Sequence, residues 1–199
     1  MIELKKCCSV PFPDRLSEQY EVHQTCIFAN VNVSKVTAMM EQFIKKHSDE
    51  PLFFILEIPT SLDDEDVDSE NKADSFHEDV YFIDGLNKDE ALQILKELGY
   101  LLSQDGMNTF GFGGHMSHEE ITFGRYNVMT IYTRDTDKYS PLLSDFGIEK
   151  TDNLITAWDT FSREHGGETW RMDNTDFSIY DIPKMYKDKG MYFYERRKR

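Results

Sequence analysis

The chain has 199 residues and carries 37 acidic against 22 basic side chains, a formal net charge of −15. This surplus of negative charge repels nucleic-acid phosphate and anionic membranes, so it argues against both as partners and favours a basic protein partner. No apolar run approaches the roughly 20 residues that cross a bilayer, and no signal peptide follows Met1, so we expect a cytoplasmic protein.

The domain organisation follows from how the apolar residues are spread. They make up 39% of the chain and occur along its whole length, and no Pro/Gly/Ser-rich seam divides it. We therefore predict one domain over residues 1–199, with an acidic loop at 60–79 and a basic tail at 195–199. The order of elements predicts an α+β fold, in which about three amphipathic helices pack on a mixed or antiparallel sheet.

The first predicted elements are a strand, a helix and two further strands. Residues 19–29 are rich in β-favouring side chains and predict a strand. Ser34 is a plausible N-cap for a helix with an apolar stripe at three-and-four spacing, which consists of Val36, Met39, Met40, Phe43 and Ile44. The apolar run 52–58 predicts a strand buried on both faces, and 80–83 predicts a short strand.

The second helix is predicted from its start signal. Asn87 followed by Glu90 resembles a capping box, with Asn in place of the usual Ser or Thr. Apolar residues keep the helical period through Gly99, so we extend this helix to about residue 103. A rival interpretation ends the helix at Gly99 and makes residues 100–104 a strand.

The next predicted elements are a hairpin and a third helix. Residues 109–113 and 121–133 predict neighbouring strands, and residues 137–150 are expected to be irregular or short-helical. A third amphipathic helix, ended by a Gly-Gly pair, is predicted from four apolar residues, Leu154, Ala157, Trp158 and Phe161. In this helix the ring of Trp158 is expected to anchor the core.

The C-terminal part of the chain has mixed character. Residues 168–172 predict a short strand, and residues 182–189 predict one or two helical turns. The apolar run 191–194 predicts a strand at the edge of the sheet, and the residues after it are expected to be solvated.

The most distinctive feature is an acidic run. Residues 60–84 hold ten acids against Lys72 alone. Alternating carboxylates from Asp64 to Asp68 resemble a calcium loop, but Ser69 stands where such a loop requires glycine. We interpret the run as a solvated loop or as a docking surface for a basic protein. The residues predicted to contact that partner are six acids and one tryptophan: Asp63, Asp64, Glu65, Asp66, Asp68, Glu70 and Trp170.

A second candidate site lies in the loop that begins at His115. His115 and His118, with Glu119 beside them, could bind zinc or another divalent cation if the loop folds back on itself. The spacing lacks the helical His-Glu-x-x-His arrangement that directs two imidazoles and a general base at one metal. We therefore favour a polar hairpin loop here and keep a metal site at these three residues as the alternative.

The remaining chemistry-bearing residues predict no reactive centre. Cys7, Cys8 and Cys26 are odd in number and two are adjacent, so we expect inert thiols without a disulfide or a zinc site. No serine or cysteine lies in a recognisable nucleophile motif. We therefore predict no cofactor, and an enzyme is not the favoured class.

The functional prediction rests on charge and on missing catalytic motifs. The favoured hypothesis is a non-catalytic acidic domain that binds a basic protein, as immunity and antitoxin proteins do when they neutralise a basic effector. One alternative is a metal-dependent hydrolase that uses the loop with His115, His118, Glu119 and Glu120. The other alternative is a regulatory module without catalytic activity.

Overall fold

The computed structural model describes residues 2–61, 77–173 and 175–198, which form a single α+β fold as predicted. The longer strands are β2 (Gln19–His23), β3 (Cys26–Asn30), β4 (Leu52–Pro59), β5 (His77–Leu86), β6 (Thr109–Gly114), β7 (Glu120–Phe123), β8 (Val128–Tyr132) and β11 (Tyr192–Lys198). Three strands have two residues each, namely β1 (Cys8–Ser9), β9 (Glu149–Lys150) and β10 (Glu168–Thr169). The α-helices are α1 (Val36–Lys46), α2 (Lys88–Gln104), α3 (Ser140–Asp145) and α4 (Ile182–Met185).

Nine of the strands form one sheet, in the order β11-β5-β4-β6-β7-β8-β3-β2-β9. Every neighbouring pair is antiparallel except β2 and β9, which run parallel. Strands β1 and β10 form a separate antiparallel ribbon. The sheet is therefore mixed and mainly antiparallel, with β11 and β9 at its edges.

One face of the sheet carries the helices and holds the main core. All five residues of the predicted stripe on α1 are fully buried there, which confirms that stripe. They share one cluster with α2 and with alternate residues of the central strands, such as Phe54, Phe110 and Ile121. Each such side chain contributes about 1.5–3 kcal/mol relative to an exposed one, so this face supplies most of the stability.

Helix α2 begins and ends close to where the sequence predicts. The Asn87 side chain accepts hydrogen bonds from two backbone N–H groups, and the Glu90 carboxylate accepts one from Asn87 N at 2.8 Å. The helix continues through Gly99, so the rival interpretation with a strand at 100–104 is wrong. A Cβ at Gly99 would lie 3.0 Å from Cγ2 of Thr37, so this glycine allows α1 and α2 to pack closely.

Two stretches predicted as single strands are each divided by a turn. Residues 19–29 form the hairpin of β2 and β3, with Gln24 at the turn (φ 55°). Residues 121–133 form β7 and β8, separated by a 3-10 turn in which Tyr126 and Asn127 have φ of 53° and 64°. Glycine and asparagine are the usual signals of such conformations; Gln24 gives none at the first turn, whereas Gly124 and Asn127 mark the second.

The predicted third helix around Trp158 is wrong. Only a 3-10 turn, Ala157–Thr160, forms there, and its capping box joins Thr156 to Asp159. Trp158 is 50% exposed and packs edge-on against Tyr126, outside the main core. The apolar pattern covers barely two turns, which is too short to stabilise a helix without core packing.

The C-terminal residues are more ordered than the sequence predicts. Strand β11 includes residues 192–194 of the predicted edge strand and continues through Lys198, so residues 195–198 pair with β5, with their side chains exposed as expected. The acidic loop is also shorter than predicted, because residues 77–79 belong to β5. In the ranges that the structure describes, no helix is long and apolar enough to span a membrane.

Candidate functional site

The two ends of the acidic run are fixed to each other and to the sheet. Thr60 N donates to His77 O at 2.9 Å, and the Thr60 hydroxyl donates to Oδ1 of Asp79 at 2.7 Å. Asp79 is buried and accepts two hydrogen bonds from the Arg196 guanidinium, at 2.6 and 3.1 Å. We call these four residues the base of the acidic segment. The six acids predicted to bind a partner, residues 63–66, 68 and 70, lie outside the described residues.

An aromatic cluster in which only Trp158 is exposed follows Arg125, which binds Glu78 next to this base. Arg125 forms an ion pair with Glu78 at 2.5 Å, and the adjacent Tyr126 packs edge-on against Trp158, with the ring centroids 4.7 Å apart. Phe161 completes the cluster at 5.5 Å from Trp158. Trp158 presents half of its surface to solvent.

Trp170, the predicted aromatic contact, is 43% exposed. Its backbone is fixed, because Trp170 N donates to Cys7 O at 3.0 Å and Gly106 N donates to Trp170 O at 3.1 Å. It immediately follows β10, whose Thr169 interacts with the Tyr126 hydroxyl. A role in partner binding stays a prediction for this residue.

The loop between β6 and β7 separates the predicted metal ligands. His115 Nε2 is 3.1 Å from Oδ1 of Asp84, and His118 is exposed with a left-handed backbone (φ 57°). Glu119 is buried and accepts a hydrogen bond from Lys138 Nζ at 2.6 Å. Within residues 2–61, 77–173 and 175–198, no three His, Cys, Asp or Glu side chains converge to hold a metal ion. The predicted metal site therefore has no geometric support among these residues.

Glu119 belongs instead to a buried polar network around His47. His47 Nδ1 is 2.7 Å from Oε1 of Glu50, and Nε2 is 3.1 Å from Oε2 of Glu119. The Tyr139 hydroxyl donates to the same Glu119 oxygen at 2.7 Å. The Ser117 hydroxyl is 3.4 Å from Nδ1, farther than the Glu50 carboxylate. Because both ring nitrogens already face carboxylates, His47 is not available as a base for Ser117.

This network fixes the loop. The second oxygen of Glu50 accepts hydrogen bonds from Met116 N at 2.6 Å and Ser117 N at 2.9 Å. A Cβ at Gly114 would lie 2.4 Å from the Glu50 carboxylate, so only glycine permits this approach. Burial raises the pKa of Glu50, but the hydrogen bonds from Ser117, His47 and Met116 outweigh it and lower the pKa to about 2.

The face of the sheet opposite the helices carries a row of aligned residues. The strand registers place Phe53 of β4 opposite Gly113 of β6, Gly113 opposite Glu120 of β7, and Glu120 opposite Tyr132 of β8. None of these four residues belongs to the core cluster that holds the helices. A Cβ at Gly113 would lie 2.1 Å from the Phe53 ring, so the ring lies directly over this glycine.

A cleft of about 510 Å³ opens over this row. Its lining includes Phe53, Glu120 and Tyr132, together with His115 and His118 from the loop. Burial, followed by repulsion from the Glu57 carboxylate, raises the pKa of Glu120 to about 7. The structure thus gathers the predicted loop residues at one cleft, although not around a metal.

Sequence reasoning did not identify Glu50, Tyr139 or Phe53 as parts of a site. Glu50 and Tyr139 contact the loop from positions 66 and 20 residues away in the chain. Contacts over such distances leave no local pattern. The apolar run of β4 predicts burial on both faces, so no pattern in it marks Phe53 as a residue of the open face.

The thiols have no reactive surroundings. Cys7 and Cys8 are buried, Cys26 is partly buried, and none forms a disulfide. Burial raises the pKa of Cys8 to about 11, which keeps it as an unreactive thiol.

The described geometry therefore offers binding surfaces: a fixed base for the acidic segment, an aromatic cluster beside it, and a cleft on the open face. Comparison with known proteins adds no family, because no family model, curated protein or solved structure matches the chain.

Proposed function

We propose that this chain is a non-catalytic domain that captures a basic protein through its acidic segment, in the manner of an immunity or antitoxin protein. The observation that carries the proposal is the base of the acidic segment. Residues 62–76 contain seven acids and one lysine. The residues that flank it, Thr60 on one side and His77 and Asp79 on the other, are hydrogen-bonded to each other at adjacent strands.

The surroundings of the base support a protein partner. Arg125 binds Glu78 at its edge, and the exposed Trp158 packs on the buried Tyr126 that follows Arg125; tryptophan and arginine are residue types enriched in interface hot spots. The exposed Trp158 ring can supply contact energy after long-range attraction has brought the partner close. Acidic charge without apolar contacts would raise the association rate but add little affinity.

Affinity capture with two matched variants tests this proposal. One variant changes four aspartates of the segment to asparagine, Asp63, Asp64, Asp66 and Asp68. The control variant changes four exposed aspartates elsewhere to asparagine, Asp49, Asp152, Asp176 and Asp188. Both variants have the same net charge. Any difference in capture between them is therefore caused by the position of the removed charges and not by the total charge.

We expect the wild type and the control variant to retain the same basic protein from native lysate at about 50 mM salt and to release it at about 500 mM. The segment variant should fail to retain it. Equal capture by the two variants, or capture of an acidic protein that persists at high salt, would refute the proposal.

A further inference from the structure

The cleft on the open face contains a carboxyl group without a partner. Glu120 projects from β7 between the positions of Gly113 and Tyr132. In the part of the chain that the structure describes, no donor forms a hydrogen bond or an ion pair with this carboxyl group. Its neighbours differ in this respect, since Glu119 accepts from Lys138 and Glu57 pairs with Arg197.

A partly buried carboxylate without a donor is costly because it loses water; Arg197 attracts the Glu120 carboxylate from a distance, but burial outweighs this attraction. Moving one donor into the cleft would remove that cost. The nearest arginine partner is already used, because the Arg197 guanidinium is bound to Glu57. The donor must therefore come from outside this group of residues.

The walls of the cleft restrict the type of donor. The outer edge of the Phe53 ring covers Gly113 on one side of Glu120, and Tyr132 lies on the other side, 46% exposed. The Phe53 ring also contacts the His115 ring, with centroids 5.3 Å apart. Aromatic faces on either side of a carboxylate favour a planar cation, which can stack on a ring while its N–H groups bond the carboxylate.

We propose that this cleft binds the guanidinium group of an arginine side chain from the basic partner. This inference rests on the proposed function and deepens it, because it names the group that the open face recognises. Phe53 and Gly113 form one wall of the site, Glu120 is the acceptor at its centre, and Tyr132 is the stacking surface on the far side.

The cleft and the base of the acidic segment lie at opposite ends of β4. The cleft lies near Phe53, and the base lies beyond Pro59, at the other end of the same strand. Six residues of strand separate them, or about 20 Å. Asp79 and Arg196 are in register with Ile58 of the helix-covered face, so a partner that occupies the cleft must reach around the edge strand β11 to contact the base as well.

The test uses a small probe and needs no partner protein. The chain is labelled with ¹⁵N and titrated at about pH 8, where Glu120 is ionised, with Nα-acetyl-arginine methylamide. The neutral citrulline analogue has nearly the same shape and serves as the control probe. Glu149→Gln, on the edge strand β9, is the control for Glu120→Gln because both remove one carboxylate.

We expect the arginine probe to shift the amide signals of Gly113, Glu120 and Tyr132, with a Kd in the millimolar range. Glu120→Gln should weaken binding about fivefold or more, and Glu149→Gln should leave it unchanged. Tyr132→Ser, which changes an exposed ring and keeps the carboxylate, should weaken binding about threefold.

Two results would overturn the inference: equal shifts with the citrulline probe, or equal arginine affinity in the wild type and in folded Glu120→Gln. This outcome is independent of the capture experiment, because binding of the small probe does not depend on contacts with the acidic segment. If the arginine probe does not bind while the capture experiment succeeds, only the inference that the cleft binds arginine is refuted.

Discussion

Lys5 is buried, although its charged ammonium group is more stable in water. Its ammonium group is fully buried, 3.2 Å from the Asp105 carbonyl oxygen and 4.5 Å from the centre of the Phe123 ring. Desolvation by burial lowers its pKa from 10.5 to about 7. The folded chain therefore binds this proton more weakly than the unfolded chain does, and stability rises with pH between about 7 and 10.5.

Replacing Lys5 by methionine should remove this dependence. The slope assigned to Lys5 is at most about 1.4 kcal/mol per pH unit, so Lys5→Met should be about 2 kcal/mol more stable than the wild type near pH 7 and lose most of that advantage by pH 9. Urea unfolding at several pH values measures the difference, with exposed Lys150→Met as the control. Parallel stability curves for Lys5→Met and the wild type would contradict this account.

At the scale of elements, the loop between β6 and β7 depends on one carboxylate. Glu50 holds the loop through Met116 and Ser117, and its pKa of about 2 lies below the ordinary value of 4.5. A lowered acid pKa stabilises the fold above about pH 4.5, and this contribution is lost as the pH falls towards 2.

We therefore expect Glu50→Gln to cost about 2 kcal/mol at pH 6 and progressively less as the pH falls to about 3. Hydrogen exchange should show faster exchange at the Met116 and Ser117 amides, while amides in α2 should keep their protection. Glu41→Gln, on the exposed side of α1, is the control. A constant stability difference from pH 6 to pH 3 would show that the Glu50 carboxylate is not the cause.

Elements with strong local signals were predictable from the sequence. The stripe on α1 and the capping box at Asn87 each involve residues within a few positions of one another, and the structure confirms both. The prediction of a third helix was wrong because Trp158 packs on Tyr126, a residue far away in sequence. Periodicity describes which side of a helix would be apolar, but it cannot show whether a core exists to receive that side.

The end of β11 shows the same limit for charged residues. Glu195 and the basic residues after it look like a solvated tail when read alone. Arg196 binds Asp79 and Arg197 binds Glu57, so acids on β5 and β4 hold these residues on the sheet. Asp79 and Glu57 are 117 and 140 residues away from their arginine partners, and no local sequence pattern predicts these contacts.

At the scale of the whole molecule, the two faces of the sheet have different roles. The helix-covered face holds the main core and, at one end, the side chains of Asp79 and Arg196, whereas the opposite face carries the Phe53, Glu120 and Tyr132 row. The sequence predicts the class of the fold and the acidic run. It does not predict the open face, because that face arises from strand register and from glycines that only packing explains.

The central claim is that the acidic segment attracts a basic protein from a fixed position on the sheet. Its most direct test is the association rate of the captured partner, measured against salt concentration, for the wild type and for the two four-aspartate variants. We predict that the segment variant associates about tenfold more slowly at low salt and with a shallower salt dependence, while the control variant resembles the wild type. Equal rates and equal salt slopes for both variants would contradict the claim.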